Sequence, residues 1–141
     1  MILITNDDGI YSPGIQALWD ALNSFGDTIV IAPSSQKSAT SHAITISKPI
    51  RVRKVKKVNG FNGFSVSGTP ADCTKIAINS ILNQKPAVLI SGINLGANVG
   101  NNIIYSGTVS AALEGAMLGI PSIAISLDSF QADRFELSKK I

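Results

Sequence analysis

The 141-residue sequence has one cysteine, one histidine and no long apolar run. A single cysteine cannot form an internal disulfide, so a cytoplasmic protein is expected. No apolar run approaches the roughly 18 residues that a membrane-spanning helix needs, and the chain opens on a strand-like run without a signal peptide, so no membrane partner is expected. Because histidine and cysteine do not cluster, a zinc site with nitrogen and sulfur ligands is not expected either.

Positive charge is distributed unevenly along a chain whose formal net charge is only +3. Half of the 12 basic residues lie close together in the sequence, at Lys48, Arg51, Arg53, Lys54, Lys56 and Lys57. No aromatic residues are interleaved with them, as single-strand binding would favour. We interpret the segment as the solvated face of a protruding β-arm over residues 42–58. Nucleic acid is therefore not an expected partner, and a nucleic-acid-binding module built on this arm is an alternative.

Short apolar runs alternate with segments of helical periodicity along the rest of the chain. Buried strands are expected at 1–5, 29–32, 87–90 and 122–126. This alternation predicts a single α/β domain over residues 1–141, with a doubly wound parallel sheet and helices on both of its faces.

Three predicted helices carry recognisable start signals. Ser12 precedes Pro13 at the first helix, a capping box runs from Thr69 to Asp72 at the second, and Ser106 opens the third. Trp19 and Cys73 are expected on apolar helix faces that pack on the sheet. The third helix is expected to bury a face made of Val109, Ala112, Leu113, Ala116 and Met117.

Polar side chains follow three predicted strands, where each strand ends. Asp7 and Asp8 follow the first strand, Ser38 lies in the polar loop after the second, and Asn94 follows the strand at 87–90. The carboxyl ends of parallel strands share one edge of a sheet, where ligands bind. Two adjacent carboxylates repel each other, and Mg²⁺ or Mn²⁺ would relieve that repulsion. The alternative for the Asp pair is a helix cap and turn.

The start of the third helix, Ser106-Gly107-Thr108, is a candidate anion site. Free N–H groups and the helix dipole attract anions there, and glycine permits a close approach of the backbone to phosphate. An ordinary Ser/Thr cap is the alternative. A hard cation beside an anion site is the combination that phosphoryl chemistry requires.

Five ordered motifs give a more specific indication: Thr5–Gly9, Ser38–Thr40, Ser67–Cys73, Ser91–Asn98 and Tyr105–Ser110. Together they resemble the SurE (survival protein E) family of metal-dependent nucleotidases, and the resemblance runs from Met1 to about Ser126. It implies a Rossmann-like core and hydrolysis of nucleoside 5′- and 3′-monophosphates, with short polyphosphate cleaved by some members. It also implies one divalent ion, Mg²⁺ or Mn²⁺, and a homodimer or homotetramer. Because family members are longer, the chain resembles a family member without its C-terminal part.

The resemblance also assigns roles to residues that match the motifs. The implied catalytic residues are Asp7, Asp8 and Asn94, and the implied metal ligands are Asp7, Asp8, Ser38 and Asn94. The implied phosphate-binding residues are Asn98, Ser106, Gly107 and Thr108.

The expected reaction is attack of a water molecule on phosphorus, in line with the leaving ribose oxygen. Either Asp7 or Asp8 is a candidate acceptor for the proton of that water, and attack by Asp7 itself is a weaker alternative. The single histidine, His42, is a candidate acid for the leaving group or a structural residue at a strand start.

Two further classes fit part of the pattern. A phosphorylation-switch receiver domain also has paired acids after its first strand, but it needs a lysine after a late strand, where this chain has Leu127-Asp128. A dinucleotide-binding module would need a Gly-x-Gly-x-x-Gly turn where this chain has Asn6-Asp7-Asp8-Gly9.

Overall fold

The computed structural model describes residues 1–37, 40–56, 60–130 and 135. Its elements in chain order are strand β1 (Ile2–Thr5), helix α1 (Pro13–Leu22), strands β2 (Thr28–Pro33), β3 (Val52–Lys56) and β4 (Asn62–Val66), helix α2 (Pro70–Ile76), strand β5 (Val88–Leu95), helix α3 (Gly107–Met117) and strand β6 (Ser122–Leu127). A single π-helical turn, Ala77–Ile81, extends α2, and a 3₁₀ segment, Gly100–Tyr105, precedes α3.

The six strands form one sheet in the order β3-β4-β2-β1-β5-β6. All neighbours are parallel except β3, which runs antiparallel to β4. The central strand β1 therefore has its carboxyl end between the ends of β2 and β5, which is where the expected site residues lie. The α/β prediction is confirmed.

Helices cover both faces of the sheet, which makes three layers. Along β1, Ile4 packs in the core that contains Ile15 and Leu18 of α1, whereas Leu3 packs in the core that contains Cys73 of α2 and Ala112 of α3. Such alternation follows from the two-residue period of a strand, and a strand with an apolar residue on each side must be covered on both faces.

The helix starts agree with their sequence signals. The Ser12 hydroxyl accepts from the N–H of Ile15, and Thr69 and Asp72 form the expected capping box. Cys73 is buried, and burial raises the pKa of its thiol well above the ordinary value, as suits a small core residue. Trp19 packs edge-on against Phe61 with ring centroids 6.1 Å apart.

Helix α3 buries a different face from the one that the apolar periodicity predicts. Leu113 and Met117 are 49% and 69% exposed, whereas Glu114 and Gly115 are buried. A Cβ on Gly115 would lie 3.0 Å from Leu89 Cδ1 of β5, so the helix packs closely on the sheet through its small residues. Close packing of the backbone, rather than hydrophobicity, selects the buried face.

The basic segment joins the sheet as its edge. Residues 52–56 form β3, which is largely exposed and pairs with β4 from Val52↔Val66 to Lys56↔Asn62. Residues 42–45, expected to begin a protruding β-arm, are not in a strand but lie against the helices, where the Thr45 hydroxyl donates to Asp72 and the Thr69 hydroxyl donates to the Ala43 carbonyl. Lys57 lies outside the described residues. So do residues 131–134 and 136–141, in the segment from Phe130 onward where the sequence pattern predicts an amphipathic helix.

Among the described residues, no helix is long and apolar enough to cross a bilayer.

Candidate active site

A cavity of about 510 Å³ opens at the carboxyl edge of the sheet, beside the ends of β1 and β5. We call it the edge cavity. Its lining residues are Asp7, Asp8, Gln36, Asn94, Leu95, Gly96, Ala97, Asn98, Asn102, Tyr105, Ser106 and Phe130. The expected carboxylate pair, the expected amide and part of the expected anion site therefore meet in one place.

Asp7 is the more buried of the two carboxylates, and the start of α3 holds it. The Thr108 hydroxyl donates to Asp7 Oδ1 at 2.5 Å, and the Asp7 carbonyl accepts from the Lys37 N–H at 2.7 Å. Desolvation raises the pKa of Asp7 above its ordinary value, and the Thr108 hydrogen bond opposes that rise. Asp7 thus has a fixed orientation and an unfavourable environment for its charge.

Asp8 lies closer to solvent, beside Asp7. Desolvation and the neighbouring charge of Asp7 raise the pKa of Asp8 to about 6, against a smaller contribution from the Leu95 N–H that lowers it. Gln36 Nε2 approaches Asp8 Oδ1 at 3.4 Å. No cation is available among these partners, so the charge of the Asp pair is not balanced by the residues that contact it.

Asn94 reaches the edge cavity because β5 departs from regular pairing. The β5–β6 register shifts between Ser91 and Asn94, where the chain has a cis peptide bond between Gly92 and Ile93. The side-chain N–H of Asn94 donates to the Gly96 carbonyl at 2.8 Å. Since the amide nitrogen is used in this bond, the amide oxygen is the atom left to serve as a ligand.

The first turn of α3 contacts Asp7 and also contributes to the lining of the edge cavity. The Ser106 hydroxyl caps the helix by accepting from the Val109 N–H, and Ser106 also lines the edge cavity. A Cβ on Gly107 would lie 2.7 Å from Asp7 Cβ, so only glycine permits this approach. Thr108 is buried and bonded to Asp7 rather than lining the cavity. The phosphate-binding roles expected for these residues stay predictions.

Asn98 lines the edge cavity and is fixed in place, since its side-chain N–H donates to the Ser126 hydroxyl at 2.7 Å. Ser38, the fourth expected metal ligand, lies outside the described residues. The chain on either side of it is anchored at the cavity, because the Lys37 N–H donates to Asp7 and the Ser41 N–H donates to the Tyr105 carbonyl at 3.1 Å.

Gln36, Tyr105 and Phe130 are among the lining residues to which the sequence analysis assigned no role. Gln36 lies in the polar loop after β2, and Tyr105 directly precedes the Ser106 cap, so both had a positional signal. Tyr105 is 60% exposed and Phe130 is 88% exposed. Large apolar rings at the rim of a charged cavity can pack against the organic part of a ligand.

A buried acid was also missed. Glu114 is 4% exposed and receives two partners, with His42 Nε2 at 2.7 Å from one carboxylate oxygen and Lys75 Nζ at 3.0 Å from the other. These contacts join the segment around His42 to α2 and α3. They favour the structural alternative for His42, because the imidazole is bound to Glu114 and does not line the edge cavity.

Comparison with known proteins decides the family. The model of the family described as "Survival protein SurE" matches residues 2–141. The chain belongs to the SurE family. It is 54% identical over 129 residues to the "5'-nucleotidase SurE" of Syntrophus aciditrophicus, a match that covers 92% of this chain and 48% of that protein. It is 52% identical over 134 residues to the "5'-nucleotidase SurE" of Syntrophobacter fumaroxidans, covering 95% of this chain and 54% of that protein.

The SurE fold is also found by structural comparison. The crystal structure of the SurE protein from Aquifex aeolicus matches with a TM-score of 0.87 and 45% sequence identity, covering 99% of this chain and 55% of that one. The chain therefore spans about half the length of these SurE relatives.

Proposed function

We propose that this SurE chain is the core of a divalent-metal-dependent phosphomonoesterase that hydrolyses nucleoside monophosphates to nucleoside and phosphate. The observation that carries the proposal is the meeting of Asp7, Asp8 and Asn94 beside the first turn of α3. The relatives named 5'-nucleotidase support the substrate class. Hydrolysis of 3′-monophosphates and of short polyphosphate is part of the same proposal.

The side chains in the edge cavity fit a hard cation. Asp7 and Asp8 supply carboxylate oxygens whose pKa values are raised by desolvation, and Asn94 supplies an amide oxygen. The described residues contain no group of three or more His, Cys, Asp or Glu side chains, so a mixed carboxylate–amide site for Mg²⁺ or Mn²⁺ fits better than a softer metal. Asp7, Asp8 and Asn94 would hold the ion, and Ser38 is the fourth predicted ligand.

When bound, the ion supplies charge neutralisation at the phosphate oxygens and a lower pKa for water. The chain's own groups then have separate tasks. Asp7 is held in one orientation by Thr108. Asn98 and Ser106 hold phosphate oxygens near the N-terminus of α3, whose partial positive charge favours negative charge on the phosphate. Asp8, which is more exposed and has the weaker set of hydrogen bonds, accepts the proton of the attacking water as the bond from phosphorus to the ribose oxygen breaks, and the ribose oxygen takes up a proton from solvent to give the nucleoside.

The receiver-domain alternative is not supported. Such a domain needs a lysine at the site, and none of the described residues that line the edge cavity is a lysine. The homodimer or homotetramer and the cytoplasmic location also belong to the proposal.

The test is phosphate release from a panel of nucleoside 5′- and 3′-monophosphates, with Mg²⁺ or Mn²⁺ and with a chelator. We expect release that the chelator abolishes, and a fall in kcat of at least about 100-fold in Asp7→Asn. Asp27→Asn is the matched control, because Asp27 is exposed and lies at the amino end of β2, away from the edge cavity. Turnover that survives Asp7→Asn at saturating metal, or that persists in chelator, would refute the assignment.

A further inference from the structure

A second polar cavity, of about 220 Å³, lies at the antiparallel edge of the sheet. It is lined by Ser34, Arg51, Arg53, Ser65 and Ser67. We call it the arginine niche. It shares no lining residue with the edge cavity, and the proposed reaction does not use it.

Strand pairing brings these five side chains to one face. Arg53 lies directly opposite Ser65 in the β3–β4 register, and Ser65 lies opposite Ala32 of β2, two residues before Ser34. Arg51 continues the pairing, because its N–H donates to the Ser67 hydroxyl at 2.9 Å and its carbonyl accepts from the Ser67 N–H at 2.9 Å. The niche is therefore a product of regular strand geometry and not of a loose loop.

The two guanidinium groups have no balancing charge. Arg51 and Arg53 are two residues apart on one face, which separates their Cα atoms by about 6.7 Å along the strand. Within the described parts of the chain, neither forms an ion pair with a carboxylate, since the ion pairs found there are those of Glu114 with His42 and Lys75. An anion between the two arginines would relieve their mutual repulsion.

The hydroxyls around them complete a donor set. Ser65 is buried, at 9% exposure, and lines the niche. The Ser67 hydroxyl accepts from the Arg51 N–H, which leaves its own proton free to be donated. Guanidinium and hydroxyl donors converging on one small space match the oxygens of a phosphate group.

We propose that the arginine niche is a second binding site for a phosphate group, held by Arg51 and Arg53 with Ser65 and Ser67. The volume suits a small oxyanion rather than a whole nucleotide, because pockets for drug-sized ligands occupy about 300–1,000 Å³. Phosphate is preferred over a carboxylate, since it offers enough oxygens for both arginines and the hydroxyls at once.

Two sources can supply this phosphate group. One is a free phosphate ion. The other is the far end of a linear oligophosphate whose near end lies in the edge cavity; this second source, unlike the niche itself, rests on the proposed phosphatase function. A third cavity lies beside the loop after β2, and its lining includes Asp8 and Gln36 of the edge cavity and Ser34 of the arginine niche. Strands β1 and β3 are three strand spacings apart, about 14 Å.

The binding test does not depend on activity. Inorganic phosphate is titrated into the ¹⁵N-labelled protein in the presence of a chelator, and the amide shifts of Ser65 and Ser67 report occupancy. We expect saturable shifts whose Kd rises by at least about tenfold in Arg51→Gln/Arg53→Gln, as the loss of one charge-assisted hydrogen bond requires. Lys54→Gln/Lys56→Gln is the matched control, since it also removes two positive charges from β3, but at positions on the opposite sheet face. It should change Kd by less than about twofold.

Ser65→Ala keeps both charges and tests the niche without removing an arginine. A several-fold weaker Kd in this variant supports the built site. Equal weakening in the double lysine variant and in the double arginine variant would show diffuse charge attraction and overturn the proposal, as would an absence of saturable shifts at Ser65 and Ser67.

Kinetics then separate the two sources. A fall in kcat/KM for a linear oligophosphate, with kcat/KM for a nucleoside 5′-monophosphate unchanged, assigns the niche to the distal phosphate of a substrate. Unchanged kcat/KM values for both compounds, together with the loss of phosphate binding, assign it to a free phosphate ion. Failure of the proposed nucleotidase activity would leave the phosphate titration unaffected.

Discussion

Replacing Asp8 by asparagine is expected to change the stability of the protein in opposite directions with and without a divalent cation. Without metal, the ionised Asp8 lies beside Asp7 in a partly desolvated position, and the pKa of Asp8 is raised to about 6. The folded state therefore binds a proton more tightly than the unfolded state. Its stability falls as pH rises from about 4 to about 6, and it then stays level.

The magnitude follows from the pKa. Each unit by which folding raises a pKa corresponds to about 1.4 kcal/mol. The rise for Asp8, from 3.8 to about 6, would lower the free energy of unfolding by about 3 kcal/mol above pH 7 if the carboxylate were fully buried. Asp8 is half-buried, and solvent screening reduces this figure to about 1 kcal/mol. Asparagine removes the charge, so Asp8→Asn is expected to raise Tm by about 3 °C at pH 7.5 in chelator.

With saturating Mg²⁺ or Mn²⁺, the wild type should become more stable than Asp8→Asn. A cation that binds only the folded wild type at 100 times its Kd stabilises it by about 2.7 kcal/mol, and Asp8→Asn loses most of that gain. Thermal unfolding in chelator and in excess metal measures both values, with Asp27→Asn as an exposed control of the same charge change. A lower Tm for Asp8→Asn in chelator, or an equal rise of both proteins with metal, would refute the electrostatic account of the Asp pair.

Two further substitutions test how α3 supports the site. Gly107→Ala places a Cβ 2.7 Å from Asp7 Cβ, so we expect a loss of at least about tenfold in kcat and weaker metal binding, measured by metal titration of activity. Unchanged kinetics in this variant would mean that the start of α3 does not position Asp7. Glu114→Gln removes the charge that Lys75 and His42 share, and is expected to lower the free energy of unfolding in urea by about 2 kcal/mol. A change below about 0.5 kcal/mol would show that this buried cluster adds little to the fold.

The location of the site was predictable because its signals are local. Asp7 and Asp8 follow the apolar strand β1, and Asn94 lies near the carboxyl end of β5, which continues past the predicted strand to Leu95. Parallel strands bring their carboxyl ends to one edge whatever the details of packing. The same holds for the caps at Ser12 and Thr69, where a side chain bonds to a backbone N–H three residues away. Interactions of short range in sequence need no knowledge of the tertiary structure.

The buried face of α3 was not predictable by the same means. Apolar periodicity favours Leu113 and Met117, but the helix is set by a close approach to β5 at Gly115 and by contact of Glu114 with two other segments. Leu113 and Met117 are consequently exposed, as is Ile123 of the adjacent edge strand, at 45%. Hydrophobicity identifies residues that favour burial, whereas the tertiary packing determines which of them are buried.

The basic segment shows how strand register changes the meaning of a charge cluster. In the sequence, Arg51, Arg53 and Lys54 belong to one basic segment, and the solvated face of an exposed strand is enough to explain it. In the sheet, the two-residue period separates them, because both arginines face the niche with Ser65 and Ser67, whereas Lys54 lies on the other face opposite Phe64. The pairing of β3 with β4 gives the arginines hydroxyl neighbours. Two unbalanced guanidinium groups in a small polar cavity favour a bound anion, whereas the sequence favoured a solvated strand and kept nucleic-acid binding as the alternative.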